Sequence, residues 1–404
     1  MITNSRKKSK NKPGKPKGNK STNLSAEKLE KFMNLGDVEY KIIDVNKNSE
    51  NENKKYKSIK VLDMKIVKLV TEYRYYPNDD GTYNIPENHN RPIQYGSNLK
   101  AICVCMNNDI YNSTDGITRF ISNITNGGAN ISKSTLLSWN KGLSNTLQPV
   151  VEGIENNLKE SYYLNCDDSS IKINSDSYND LCVCNDKYTR LCISEKKDRD
   201  SWKEHTILSE YKGIIVKDGT DVFNGLGILL AQCCSHILRY IKGVYDFVNH
   251  RGAKKMAKFF KKCIHIRKKK IKKGINTFTK EELDDLYAEY NNIFAEWKQE
   301  WMKSSKDENP VYDDERRLLA RFESEEEKRQ ILYFLHDFNI PATNSQAEVD
   351  QRGAKIKQKI GKFRSLESAE EYATIKSCIL TYKKNDINVL DAIRLAFNGT
   401  PVEV

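Results

Sequence analysis

The run S-Y-Y-L-N-C-D-D-S-S at residues 161–170 decides how the chain is read, together with L-C-V-C-N (181–185), Y-T-R-L-C-I-S (188–194) and G-I-I-V-K-D-G (213–219). Each is a short apolar stretch that runs into polar or turn residues, which is how strands read. The second and third flank a polar turn and predict a hairpin. A helix is expected near 200–209. The fourth stretch is continuously apolar, as an inner strand covered on both faces is. Three antiparallel strands, a helix and an inner strand follow. Two of these strands are expected to end in acids, Asp167-Asp168 and Asp218-Gly219.

Downstream, residues 225–250 are apolar and read as a strand or turn entering a helix. Residues 251–273 hold twelve cations and no acid. Residues 279–303 predict an amphipathic helix opened by a capping box of Thr279 and Glu282. Its aromatics (Tyr287, Tyr290, Phe294, Trp297, Trp301) recur at helical spacing and read as core. Residues 313–336 read as another charged helix or pair. The stretch I-P-A-T-N-S-Q-A-E then opens a helix that runs through residue 363, with helices near 366–383 and 387–398. The predicted fold is an α/β ribonuclease H-like core in two parts, 161–253 and 337–365. It is interrupted by a helical insertion over 254–336 and followed by C-terminal helices over 366–404.

Upstream, residues 97–160 predict three helices, near 97–107, 114–125 and 133–158, with Gly127-Gly128 between the last two and Ser132 as N-cap. This spacing fits a helix-turn-helix-like region. S-K-S-T-L-L-S-W-N-K would be its recognition helix, with Lys133 and Lys141 as expected DNA contacts, although many helical hairpins read the same way. Residues 37–76 alternate as V-E-Y-K-I-I and K-I-V-K-L-V-T-E-Y-R-Y-Y, residues 77–96 are rich in Asn, Pro and Gly and read as loop, and together 37–96 predict a small β-rich segment. Residues 1–36 are a basic linker, expected to be disordered.

The 404 residues carry 67 Lys and Arg against 55 Asp and Glu, a net charge of +12. That balance favours a polyanionic partner. No apolar run is long enough to span a bilayer, and no signal peptide is evident, so a cytoplasmic, nucleoid-associated protein is expected. The ten cysteines begin at Cys103 and include two C-x-C pairs. That is poor zinc spacing, and they read as reduced, buried thiols.

Three acids lie where phosphate chemistry needs them. Asp167 and Asp218 follow strands, and Glu348 opens a helix. Carboxylates suit Mg²⁺, and two such ions about 4 Å apart activate a nucleophile and steady a leaving oxyanion. An acid after a strand is also an ordinary turn residue or cap. Spacing alone leaves both readings open. Glu348, Arg352, Lys355 and Lys359 share one helix face, with Val349, Ile356, Ile360 and Phe363 as the adjoining apolar stripe. Arg364, Lys254, Lys255, Lys268 and Lys269 complete the expected DNA-backbone contacts. Cys233, His236 and His250 suggest zinc but lack a second ligand pair.

Several segments together resemble the transposase of insertion sequence family 66, the TnpC type. They are P-I-Q-Y-G-S-N-L-K-A (92–101), N-C-D-D-S-S (165–170), I-I-V-K-D-G-T-D-V-F (214–223), Q-C-C-S-H-I-L-R-Y (232–240) and, most specifically, T-N-S-Q-A-E-V-D-Q-R-G-A-K-I-K-Q-K-I-G-K-F-R-S (343–365). The resemblance implies a DDE transposase that cleaves at transposon ends and transfers strands into target DNA. Asp167, Asp218 and Glu348 would be the catalytic metal ligands. Cys233, His236, Arg239 and Asn344 would support them. It also implies two Mg²⁺ ions, with Mn²⁺ as a substitute, and transposon-end inverted-repeat DNA and target DNA as partners. A homo-oligomer on DNA and accessory proteins of the same element are implied as well. The family's zinc-ribbon cysteines have no counterpart before residue 96. Asp168 stands where the family usually has Glu, and Val349 where Arg often follows. The chain begins inside the basic linker. A truncated, inactive relative that only binds DNA is therefore the alternative expectation.

Overall fold

The computed structural model describes residues 25–34, 38–43, 58–86, 89 and 91–404. The chain divides into two units, Met1–Tyr73 and Arg74–Val404. In the first, helix α1 (Ala26–Met33) forms inside the stretch expected to be linker. Ser25 caps it, its hydroxyl accepting from the Lys28 N–H at 3.3 Å, and Glu27 pairs with Lys31 one turn on at 3.2 Å. None of its residues is buried. The basic run before Ser25 lies outside the described residues.

The strands expected in 37–76 do not form among the described residues: both alternating stretches run without a ladder. Val61, Met64, Leu69 and Val70 stand more than 80 % exposed. Alternation supplies one face, but a strand persists only with a partner ladder and a surface to cover that face.

The second unit is built on a five-stranded sheet in the order β3-β2-β1-β4-β5. β1 (Tyr163–Ile173), β2 (Asp176–Cys184) and β3 (Thr189–Ser194) are antiparallel neighbours. β4 (Ile214–Lys217) and β5 (Leu229–Gln232) run parallel to β1. Helix α6 (Arg199–His205) joins β3 towards β4. It is capped by Asp198, whose carboxylate accepts from the Ser201 N–H at 2.9 Å.

The two-residue period of the strands divides the sheet into two faces. Leu164, Cys166, Leu181, Val183 and Cys192 point into a core shared with helices α2 (Ser97–Asn108), α3 (Thr114–Ile124), α4 (Lys133–Thr146) and α5 (Gln148–Lys159). The expected third helix over 133–158 is two helices, divided at Leu147. Pro149 sits in the first turn of α5, where its missing N–H costs nothing.

The opposite face is made by Ile171, Ile173, Cys182, Cys184, Leu191 and Ile193. It is covered by α12 (Ser345–Ile360) and α13 (Leu366–Lys384). The last helix, α14 (Val389–Phe397), packs on α2.

Between β5 and α12 lie α7 (Cys234–Val248), α8 (Arg251–Ile271), α9 (Lys280–Lys303), α10 (Tyr312–Glu323) and α11 (Glu325–Leu332). They enclose a second core around Phe259, Phe260, Tyr290, Trp297 and Phe322. Thr279 and Glu282 form the capping box of α9. No helix among the described residues is long and apolar enough to cross a membrane.

Candidate active site

β1 continues to Ile173, so Asp167 sits in mid-strand and not at a strand end. What ends near it is the pairing with β4, whose register is Tyr163↔Ile214 through Asn165↔Val216. Carried two residues further, that register sets Asp167 opposite Asp218, the first residue after β4. The β4–β5 register ends at Lys217↔Gln232, and one step further sets Asp218 opposite Cys233. Asp167 lies an even number of residues from Ile171 and Ile173, so it shares their face, the one α12 covers.

Helix α12 is fixed over this point by its own polar residues. The Asn344 side-chain amide donates to the Cys166 carbonyl at 2.8 Å, and its backbone N–H donates to the Cys233 sulfur at 3.1 Å. One turn into the helix comes Glu348. Next to it in the helix lattice, Gln351 donates to the carbonyls of Asp167 at 3.0 Å and Asp180 at 2.6 Å. Sequence reasoning missed Gln351. Its spacing from Ala347 and Ala354, both buried against the sheet, marks the face it occupies.

The three acids act on one another. Burial first, then the charges of Asp218, Asp168 and Glu348, push the Asp167 carboxyl up to about 7, while the Asp168 N–H opposes the shift at 3.0 Å. His236 has Nε2 3.7 Å from the Glu348 carboxylate. Burial and Arg239 lower its pKa, against the pull of Asp218 and Glu348, so the ring is neutral at pH 7. Its buried Nδ1 has no hydrogen-bond partner. Among the described residues, no lysine or arginine forms an ion pair with Asp167, Asp218 or Glu348.

Two further polar networks flank the acids. Arg321 of α10 donates to the Gln232 side-chain oxygen at 2.6 Å and to Glu327 at 3.2 Å, and its guanidinium lies beside Gly219. The helical insertion thereby touches the loop that carries Asp218. On the other side, Cys182, Cys184 and Asp350 form the one triple of metal-ligand atoms among the described residues that lie within 4.8 Å of one another. Asp350 there already accepts from Thr189 at 2.7 Å, Lys384 at 2.8 Å and Gln346 at 2.9 Å, and burial raises the Cys182 thiol. The Lys384 ammonium already supplies Asp350 with a cationic partner.

The zinc suggestion fails on geometry: His250 bonds Glu315 at 2.7 Å, and Cys233 accepts from Asn344. The expected apolar stripe of α12 is corrected. Val349, Ile356 and Ile360 are exposed, and only Phe363 is buried. Small residues (Ala347, Gly353, Ala354) face inward instead, because the helix lies too close to its neighbours for larger ones. A Cβ at Gly353 would sit 2.3 Å from the Tyr111 hydroxyl. Arg352, Lys359 and Arg364 are exposed beyond Glu348. Lys355 bonds the Ser170 carbonyl.

Several expected DNA contacts have partners within the protein. Lys133 pairs with Asp115 at 2.7 Å and Lys141 with Glu367 at 2.6 Å. In α8, Lys255, Lys262 and Lys270 pair with Glu296, Glu289 and Glu282 of the antiparallel α9, at 2.5, 2.6 and 2.7 Å. Lys254 bonds Asn249. Arg267 is buried and donates to the Phe338 and Ile340 carbonyls. Lys268 and Lys269 are exposed. The run was acid-free in sequence only; α9 supplies the acids in space.

Residues 94–371, about two thirds of the chain, match the sequence profile of the Transposase IS66 family. The chain belongs to this family. A role in DNA transposition, and with it DNA as a partner, comes with that membership. No curated protein matches the chain. The family match spans Asp167, Asp218, Glu348, the supporting Asn344, Gln351 and His236, and the whole helical insertion between β5 and α12.

Proposed function

We propose that this IS66-family transposase cuts transposon ends and joins them to target DNA at a ribonuclease H-like site, with Asp167, Asp218 and Glu348 as the divalent-metal ligands. The observation that carries the reading is the half-buried cluster of three carboxylates with no lysine or arginine paired to it among the described residues. Such a cluster holds Asp167 partly protonated at neutral pH, and a divalent cation would relieve that. The strand order, with three antiparallel strands followed by two parallel ones, supports the fold assignment.

The oxygens of the three acids do not all fall within 4.8 Å of one another. Asp167, which feels the charge of both other acids, would hold a divalent ion together with them. Bound Mg²⁺ would supply Lewis acidity for nucleophile and leaving oxygen.

The protein's own part is positioning. Asn344 and Gln351 fix α12 against β1, so that Glu348 stays over Asp167. Neutral His236 stands beside Glu348 without neutralising it. In the first step a water oxygen attacks phosphorus and the P–O3′ bond breaks, leaving a 3′-hydroxyl on the element. In the second step that hydroxyl attacks a target phosphodiester and displaces the target's own 3′-oxygen.

Nicking of a duplex bearing the element's end is expected with Mg²⁺ and not with EDTA. Asp218→Asn is expected to lower the rate at least ~100-fold, the order of effect seen when transition-state stabilisation is removed. An unchanged rate in that variant would remove the assignment. Retained DNA binding without cleavage by the parent protein would favour the DNA-binding alternative.

A further inference from the structure

Two grooves run along α8, and their charges differ. The one between α8 and α9 is walled by Lys255, Lys258 and Lys262 but also by Glu289 and Glu296. Two of its three lysines, Lys255 and Lys262, are held in the ion pairs already described. The one between α7 and α8 is lined by Arg239, Lys242, Tyr245 and Lys261, among others, and no acid lines it. Lys242 pairs with Asp246, outside the lining, at 2.5 Å. Arg239 and Lys261 are exposed and form no ion pair among the described residues.

This second groove adjoins the carboxylates. Ser235 lines it, and the next residue is His236, which faces Glu348 at 3.7 Å. Arg239 lies one turn further along α7, close enough to act on the His236 ring. A groove with unpaired cations and no acid complements a phosphodiester backbone. A guanidinium can fork two phosphate oxygens, and an ammonium adds a point charge.

We propose that the groove between α7 and α8 holds the backbone of the DNA strand that passes the three carboxylates, with Arg239 and Lys261 contacting its phosphates. The lysines that face α9 do not take part. The proposal rests on the catalytic reading above, and it divides the basic run of α8 into a binding side and a structural side.

The test is the salt dependence of DNA binding by the full chain, measured in rising KCl without metal on duplexes of two unrelated sequences. Each phosphate contact contributes roughly 0.9 to the slope of log K against log salt concentration. Arg239→Gln/Lys261→Gln is expected to lower that slope by about 2 and to weaken both duplexes alike. Lys261→Gln alone, an exposed change that leaves the fold intact, is expected to lower it by about 1. Lys262→Gln/Lys270→Gln, whose lysines are paired to α9, is expected to leave it unchanged.

An unchanged slope in the first two variants would overturn the proposal. So would an equal loss in the third. A protein that shows the expected slopes but does not cleave would overturn the catalytic reading and keep the groove. One that cleaves with unchanged slopes would do the reverse.

Discussion

At the scale of single residues, Asp167 concentrates the tension of the site. Its ordinary carboxyl value of 3.8 is raised to about 7 in the folded chain, so between these values the folded state holds a proton that the unfolded state has lost. The stability this contributes is present below about pH 4 and is lost as pH rises through about 7. In urea denaturation with EDTA, Asp167→Asn is expected to flatten this dependence. It should gain on the order of 1–2 kcal/mol relative to the parent at pH 8, a fraction of the full shift because the side chain keeps some contact with water. A parent protein equally stable at pH 5 and pH 8, with the variant following the same curve, would show that the carboxylates do not repel one another. The sequence offered Asp167, Asp218 and Glu348 as candidates from expected strand ends and a helix start, although Asp167 stands in mid-strand. Gln351 and Arg321 were not legible there, because a helix-lattice neighbour or a guanidinium reaching in from the insertion acquires its role only when distant segments meet.

At the scale of elements, hydrophobic period and capping chemistry carried most of the reading. The Thr279 box opens α9, Ser132 opens α4, and the β2–β3 hairpin lies where two apolar runs flank a turn. The errors share a cause: local pattern does not say what covers a face. Strand-like alternation in 37–76 found no ladder, and the α12 stripe of Val349, Ile356 and Ile360 faces solvent. The α8 cations, acid-free along the chain, meet Glu282, Glu289 and Glu296 from the next helix. That pairing rests on a close approach at Gly252, where an added Cβ would lie 2.4 Å from the Trp297 backbone. Gly252→Ala is therefore expected to destabilise the insertion by about 1–3 kcal/mol, because backbone cannot yield as a side-chain tip can. Thermal melting would show this as a lowered midpoint, and an unchanged midpoint would mean that α8 and α9 pack more loosely.

At the scale of the whole molecule, the fold brings together acids from positions 167, 218 and 348 by continuing one strand register across β1 and β4 and laying α12 across it. The helices between β5 and α12 keep their own core, yet Arg321 touches the Asp218 loop and Arg239 lines the groove beside His236. Insertion and sheet thus meet at the acids. DNA sequence preference was not legible in the chain, since it depends on a partner surface that the chain does not encode. The central claim is that the three carboxylates bind the divalent metal, and exchanging ligand softness tests it directly. A thiolate binds Mg²⁺ poorly and thiophilic ions better. End cleavage by Asp218→Cys should be lost with Mg²⁺ and recovered in part with Mn²⁺, while the parent works with both. Cleavage by Asp218→Cys that matches the parent in Mg²⁺ would contradict metal ligation by this carboxylate.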